Sequence, residues 1–110
     1  MTTVIFGDYE WDANKDSINR ETRGIGFLEA TKIFGHITLE TEAKSKKDEK
    51  RYKVIGLHRG VEIAVIYTQR NKRKRIISAR RAKKKERRAY YLYCANLYDG
   101  SGMGAVCKPH

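Results

Sequence analysis

RYKVIGLH at residues 51–58, VEIAVIYTQR at 61–70 and RKRIISA at 73–79 are three runs rich in Val, Ile and Tyr, the composition of half-buried strands. Only Arg59-Gly60 and Asn71-Lys72 separate them. Two-residue gaps holding Gly or Asn are the signature of tight hairpins, so the three runs form consecutive antiparallel strands. Working outward, Asp12 followed by residues 13–23 predicts a helix with an acidic cap at its start and Gly24 as its stop. Residues 28–34 predict a second short helix, with Phe27, Ala30, Ile33 and Phe34 on its apolar face and Gly35 ending it. Residues 37–41 read as a strand, and 42–50 (EAKSKKDEK), polar and without period, as a mobile loop. A last helix is expected over 82–97, and residues 99–110, carrying three glycines and Pro109, as a flexible tail. The expectation is one α+β domain over residues 1–98: two N-terminal helices, an antiparallel sheet of about four strands, and a C-terminal helix on the sheet.

At 110 residues, 40% apolar and 34% charged, the chain is too short for several domains and too apolar and aromatic for full disorder. Its longest apolar runs, such as 64–67, fall far short of the roughly 20 residues of a membrane helix. Acids at Asp8, Glu10 and Asp12 stand where a signal peptide would be basic and then apolar, so a cytoplasmic location is expected. Cys94 and Cys107 fit neither a disulfide framework nor a C-x-x-C metal pair.

The net charge of +11 sits in one segment. Residues 1–69 hold 11 basic and 11 acidic side chains, and 89–110 hold Lys108 against Asp99. Residues 70–88 (RNKRKRIISARRAKKKERR) hold 12 cations against Glu86 alone, which is the whole excess. Charge focused in this way suits a polyanion, and nucleic acid leads; the plainer alternative is a solvated basic helix or an address signal. Because Ile76 and Ile77 interrupt the run, it belongs to a folded element.

Several blocks also carry a family likeness. Tyr9-Glu10-Trp11-Asp12, Lys15 and Asn19, Gly24 with Phe27-x-Glu29-Ala30, Arg51 with Ile55-Gly56, and Arg75-Ile76-Ile77-Ser78-Ala79-Arg80-x-Ala82 with Glu86 and Tyr90 resemble the BrnT toxin family over about residues 9–91. The resemblance implies a RelE-like ribonuclease toxin of a type II toxin–antitoxin pair. It also implies a BrnA-type antitoxin whose ribbon-helix-helix domain binds operator DNA. Where that family has Lys-His-Gly after the first helix, this chain has Thr22-Arg23-Gly24.

The chemistry can be weighed without the likeness. His36, His58 and His110 fall in separate segments, so no metal site and no cofactor is expected. No P-loop, dinucleotide fingerprint or nucleophile elbow occurs. Phosphodiester cleavage by the RNA's own 2′-hydroxyl needs a proton acceptor, cations on the phosphorane and an acid for the 5′-oxygen, which arginines with one carboxylate can largely supply. Strand alternation puts Arg75, Ile77 and Ala79 on one face, and Ile76, Ser78 and then Arg80 on the other. On the last helix, Ala82, Glu86, Ala89 or Tyr90, Tyr93 and Leu97 recur at helical spacing and form one stripe. Glu86 docks the helix through an ion pair with Arg75 or Arg80, or serves catalysis by accepting a proton or orienting an arginine, and both roles can hold at once.

Catalytic candidates are Arg51, Arg75, Ser78, Arg80, Glu86 and Tyr90. Phosphate-binding candidates are Arg23, Arg70, Lys72, Arg73, Lys74, Arg81, Lys83 and Lys84. Lys15 and Asn19 read as a local polar pair, and His58 as a turn histidine in water. Three functions of different class stay open: a metal-independent endoribonuclease toxin acting on RNA, free or on the ribosome; a noncatalytic nucleic-acid- or ribosome-binding module; and an interaction protein whose basic surface docks an acidic partner.

Overall fold

The computed structural model describes residues 2–97. Its sheet has six strands: β1 (Thr3–Phe6), β2 (Tyr9–Asp12), β3 (Leu39–Lys46), β4 (Glu49–His58), β5 (Val61–Arg70) and β6 (Arg73–Arg81), in the order β1-β2-β6-β5-β4-β3. The hairpins β4–β5 and β5–β6 form as the sequence predicts, with β6 reaching two residues further. The expected four-stranded antiparallel sheet is corrected at both ends. Residues 3–12 make an additional hairpin, and β2 joins β6 in parallel, pairing Glu10 with Arg75 and Trp11 with Ile76. The polar stretch 42–50, read as a loop, instead forms the end of β3, a tight turn at Lys47-Asp48 and the start of β4. Both faces of that arm are largely exposed, so its backbone pairing persists without an apolar pattern to reveal it.

Helix α1 (Ala13–Arg23) has the caps its sequence promises. Asp12 Oδ2 accepts from Lys15 N at 3.0 Å, and Gly24 at φ 73° closes it with N–H to Arg20 O. Helix α2 is shorter than expected, Phe27–Ala30, and continues as a 3₁₀ turn over Thr31–Gly35. Asp16 Oδ1 receives Phe27 N, and Glu29 Oε1 receives Gly26 N, so two acids cap the start of α2. Trp11, Phe27, Ala30 and Ile33 bury against Val54, Ile63, Val65, Tyr67, Ile76 and Ala79 on one face of the sheet. Gly56 lets this layer close, since a Cβ there would lie 2.9 Å from Ile33 Cβ.

Helix α3 (Lys84–Leu97) covers the opposite face, packing Tyr90 and Cys94 on Ile55, Ala64 and Ala82. Its buried stripe is Glu86, Tyr90 and Cys94, at i, i+4, i+8; Tyr93 and Leu97, expected on it, are exposed. Strict alternation along β6 also fails. Ile66 pairs with Ser78 and Tyr67 with Ile76, leaving Ile77 as a bulge, so Ile76 and Ala79 both reach the α1/α2 core and Arg75 and Arg80 both face α3's side. The tail expected at 99–110 lies outside the described residues.

Candidate active site

Cross-strand register builds the site. Arg51 on β4 pairs with Thr68 on β5, Thr68 with Arg75 on β6, and Arg75 with Glu10 on β2. All four belong to the face that carries α3, so they form one row across the sheet. Arg51 and Arg75 are two strands apart, roughly 10 Å between Cα atoms. Lys53 stands two residues along β4, on the same face, and Ser78 and Arg80 follow along β6 toward the start of α3.

Glu86 is the hub at that end. Arg80 grips it with two parallel bonds, Nη1 to Oε1 at 2.7 Å and Nη2 to Oε2 at 2.9 Å. Lys53 Nζ reaches Oε2 at 2.9 Å, and the Lys83 backbone N–H donates to Oε1 at 2.7 Å, half of a capping box at the N-terminus of α3. Four donors on a carboxylate that is 8% exposed fix both the helix and the arginine. The hydrogen bonds from Arg80 lead in holding the Glu86 carboxyl well below the usual carboxylate range, against the opposing effect of burial. Reciprocally, the bond to Glu86 raises the pKa of Arg80. Glu86 therefore stays ionised, and a carboxylate this stabilised is a weak proton acceptor. Arg80 gives two N–H groups to Glu86 and one to Arg81 O, so Nε–H and one Nη2–H remain as a second fork of the kind that grips phosphate.

Arg75, one of the two partners expected for Glu86, bonds Glu10 instead, Nη1 to Oε2 at 2.6 Å, in a largely buried pair. Arg51 is held by Glu49 through Nε at 3.1 Å, and Arg70 approaches the same carboxylate at 3.6 Å. Ser78 is half-buried on the strand between Arg75 and Arg80. Tyr90 lies in the core under α3, its hydroxyl donating to Ile37 O at 3.0 Å. Four of the six catalytic candidates thus share one sheet face, Glu86 meets them from the first turn of α3, and Tyr90 supports that helix.

The basic segment is divided between surfaces. Lys74 lies on the α1/α2 side, its ammonium over the Tyr67 and Phe34 rings at 5.4 and 5.6 Å. Arg73 Nε donates to Gly7 O, Lys72 is exposed in the turn, and Arg81, Lys83 and Lys84 are exposed where β6 leads into α3. Arg23 is exposed at the end of α1. Asn19, read as a local partner of Lys15, instead spans to β6: its Nδ2 donates to Ala79 O and Ile25 O, each at 2.8 Å. His58, read as a solvated turn residue, is mostly buried, with Nε2 3.6 Å from Glu29 Oε2.

Sequence reading missed Glu10, Lys53 and Thr68. Lys53 shares the parity of Arg51 and Ile55 on its strand, which was available as a signal; Glu10 joins Arg75 only through a pairing 65 residues apart, which no local pattern encodes.

Arg51, Lys53, Arg75 and Arg80, each held by a carboxylate, set four half-buried cations on one side of the sheet, an arrangement suited to an anionic chain. Residues 11–86 match the family described as the ribonuclease toxin, BrnT, of the type II toxin–antitoxin system, and the chain belongs to that family. The family brings RNA as substrate and an antitoxin as partner. No curated protein matches the chain. Among the described residues, no helix is long and apolar enough to cross a membrane, and no three His, Cys, Asp or Glu side chains cluster as metal ligands.

Proposed function

We propose that this protein is a metal-independent endoribonuclease that cleaves RNA through the substrate's 2′-hydroxyl. The observation that carries it is the Arg80–Glu86–Lys53 cluster beside the Arg75–Glu10 pair: cations fixed by acids on one face, with unspent N–H donors. The scissile phosphate lies between the free fork of Arg80 and Arg75. The 2′-oxygen attacks phosphorus, the P–O5′ bond breaks, and the guanidinium groups stabilise the dianionic phosphorane.

Glu86 acts by orienting Arg80 and Lys53, because four donors leave it little basicity. Glu10, with a single charged donor, is the better acceptor for the 2′-hydroxyl proton. Lys53, an ammonium at the edge of the cluster, gives a proton to the departing 5′-oxygen. Arg51 and Ser78 bind the flanking backbone, with Arg70, Lys72, Arg73, Lys83 and Lys84 as outer phosphate contacts.

In this reading the toxin works in the cytoplasm, on free or ribosome-bound RNA, to inhibit translation. A BrnA-type antitoxin with a ribbon-helix-helix domain neutralises it by covering the basic segment, and ties the complex to operator DNA. The test is to incubate the purified protein with end-labelled RNA, and separately with translating ribosomes, in EDTA. The expected products carry 5′-hydroxyl and 2′,3′-cyclic or 3′-phosphate ends; activity lost on chelation and restored by magnesium would refute the mechanism.

A further inference from the structure

At the opposite end of the strands from the Arg51–Arg75 row, and on the α1/α2 face, a cleft of about 340 Å³ opens between the C-terminus of α1 and the β4–β5 turn. Arg23, Arg59 and Arg81 line it together with His58 and Glu29, beside the apolar Ile25. Three features set it apart. First, Arg51, Arg70, Arg75 and Arg80 each hold a carboxylate, whereas Arg23, Arg59 and Arg81 form no ion pair among the described residues. Second, Arg59 sits at φ 52° with Gly60 at 76°, the turn in which both central residues are left-handed. Asn, Asp or Gly normally fills that position, and a long cation there carries backbone strain. Third, His58 Nε2 is buried with no hydrogen bond among the described residues, Glu29 Oε2 approaching it only to 3.6 Å. Glu29 is the carboxylate that lines the cleft, and Gly26 N already binds its Oε1.

Three arginines against one acidic residue along the lining suit an anion, and guanidinium forks match phosphate oxygens. The volume admits more than phosphate alone, and Ile25 gives an apolar wall for a sugar or base. Arg81 adjoins Arg80, yet the two side chains leave β6 on opposite faces, and exposed Lys83 lies just beyond. We propose that this cleft is a second RNA subsite, binding a phosphate and its nucleoside away from the point of cleavage, so that the strand wraps the end of the sheet from one face to the other. The proposal rests on the ribonuclease reading above and extends it to substrate beyond the scissile phosphate.

The test uses the full chain and a 2′-O-methyl RNA, which cannot be cleaved, of about 12 nucleotides, within the span single-strand binders cover. Affinity and its salt dependence are measured by fluorescence anisotropy for wild type, Arg59→Asn, and Arg59→Asn with Arg81→Gln. Arg59→Asn should raise the Tm, since Asn suits the turn, while weakening binding; a purely structural residue would not give that opposition. The double variant should bind about tenfold more weakly, and the slope of log affinity against log salt should fall by about 1.4, the value for two lost phosphate contacts on a single strand. The loss should be larger for the long RNA than for a trinucleotide. Wild-type affinity and slope in the double variant would overturn the subsite, as would loss of antitoxin binding with RNA binding intact. If the wild type cleaves RNA while these variants bind normally, only the subsite falls; if the wild type neither binds nor cleaves RNA, the ribonuclease reading falls with it.

Discussion

Glu86→Gln keeps the shape of the side chain but leaves Arg80 and Lys53 facing an amide in place of a charge. Removing one partner of a buried ion pair costs about 3–5 kcal/mol, because the other charge stays buried and unpaired. Here Lys53 is 30% exposed and Arg80 19%, so water takes over part of the lost solvation, and about 2–3 kcal/mol is the expected loss. At about 4–8 °C per kcal/mol for a domain of this size, the Tm should drop by roughly 10–20 °C. With its grip on Glu86 weakened, Arg80 no longer presents its second fork, and kcat should fall by about two to three orders of magnitude, as for loss of one preorganised donor at the reacting phosphate.

The pH dependence separates this from general damage. The folded carboxyl of Glu86 is lowered from its ordinary value, so its stabilising contribution is complete above the ordinary carboxylate pKa and is lost as pH falls through the folded one. The stability gap between wild type and Glu86→Gln should therefore stay constant from neutral pH down to about pH 5 and narrow only in stronger acid. Urea unfolding of both proteins across that range, with single-turnover cleavage well below the variant's Tm, makes the measurement. A folded Glu86→Gln protein with wild-type cleavage, or a gap that already closes near neutral pH, would refute the role assigned to Glu86.

Other consequences are independent of that one. Arg80→Lys keeps a charge but not the fork, and should lower kcat more than it raises KM in steady-state assays. Glu10→Gln should lower the rate about 10²–10⁴-fold if Glu10 accepts the 2′-hydroxyl proton; a wild-type rate in a folded variant would remove it from the mechanism. Asn19→Ala strips the clamp from α1 to the β6 backbone and should cost about 1–3 kcal/mol in urea unfolding, while cleavage by the folded fraction is retained. Gly56→Ala forces a methyl against Ile33 and Thr38 and should cost about 1–3 kcal/mol, visible as a lower Tm.

The middle of the fold was legible because β4, β5 and β6 combine apolar runs with two-residue turns, and α1 carries both caps in its sequence. What escaped was non-local or polar. The segment 3–6 is a four-residue edge strand, and nothing near Glu10 announces a parallel partner beginning at Lys74. The arm at 42–50 buries almost nothing, so its pattern matches a loop while its backbone bonds make a hairpin. One bulge at Ile77 moved Arg75 onto the face of Arg80, which strict alternation had denied. The candidate site was half legible for the same reason. Arg80 and Glu86 lie six residues apart in a single basic run, whereas Arg75 meets Glu10, and Lys53 meets Glu86, only through the register of the sheet.

Cleavage of an RNA carrying one deoxyribose at its preferred site is the most direct probe of 2′-hydroxyl attack by this arginine-lined face. The modified position should resist while neighbouring ribose sites are still cut to 5′-hydroxyl and 2′,3′-cyclic phosphate ends, with EDTA making no difference. Cutting at the deoxy position, leaving a 5′-phosphate and a 3′-hydroxyl, would contradict it.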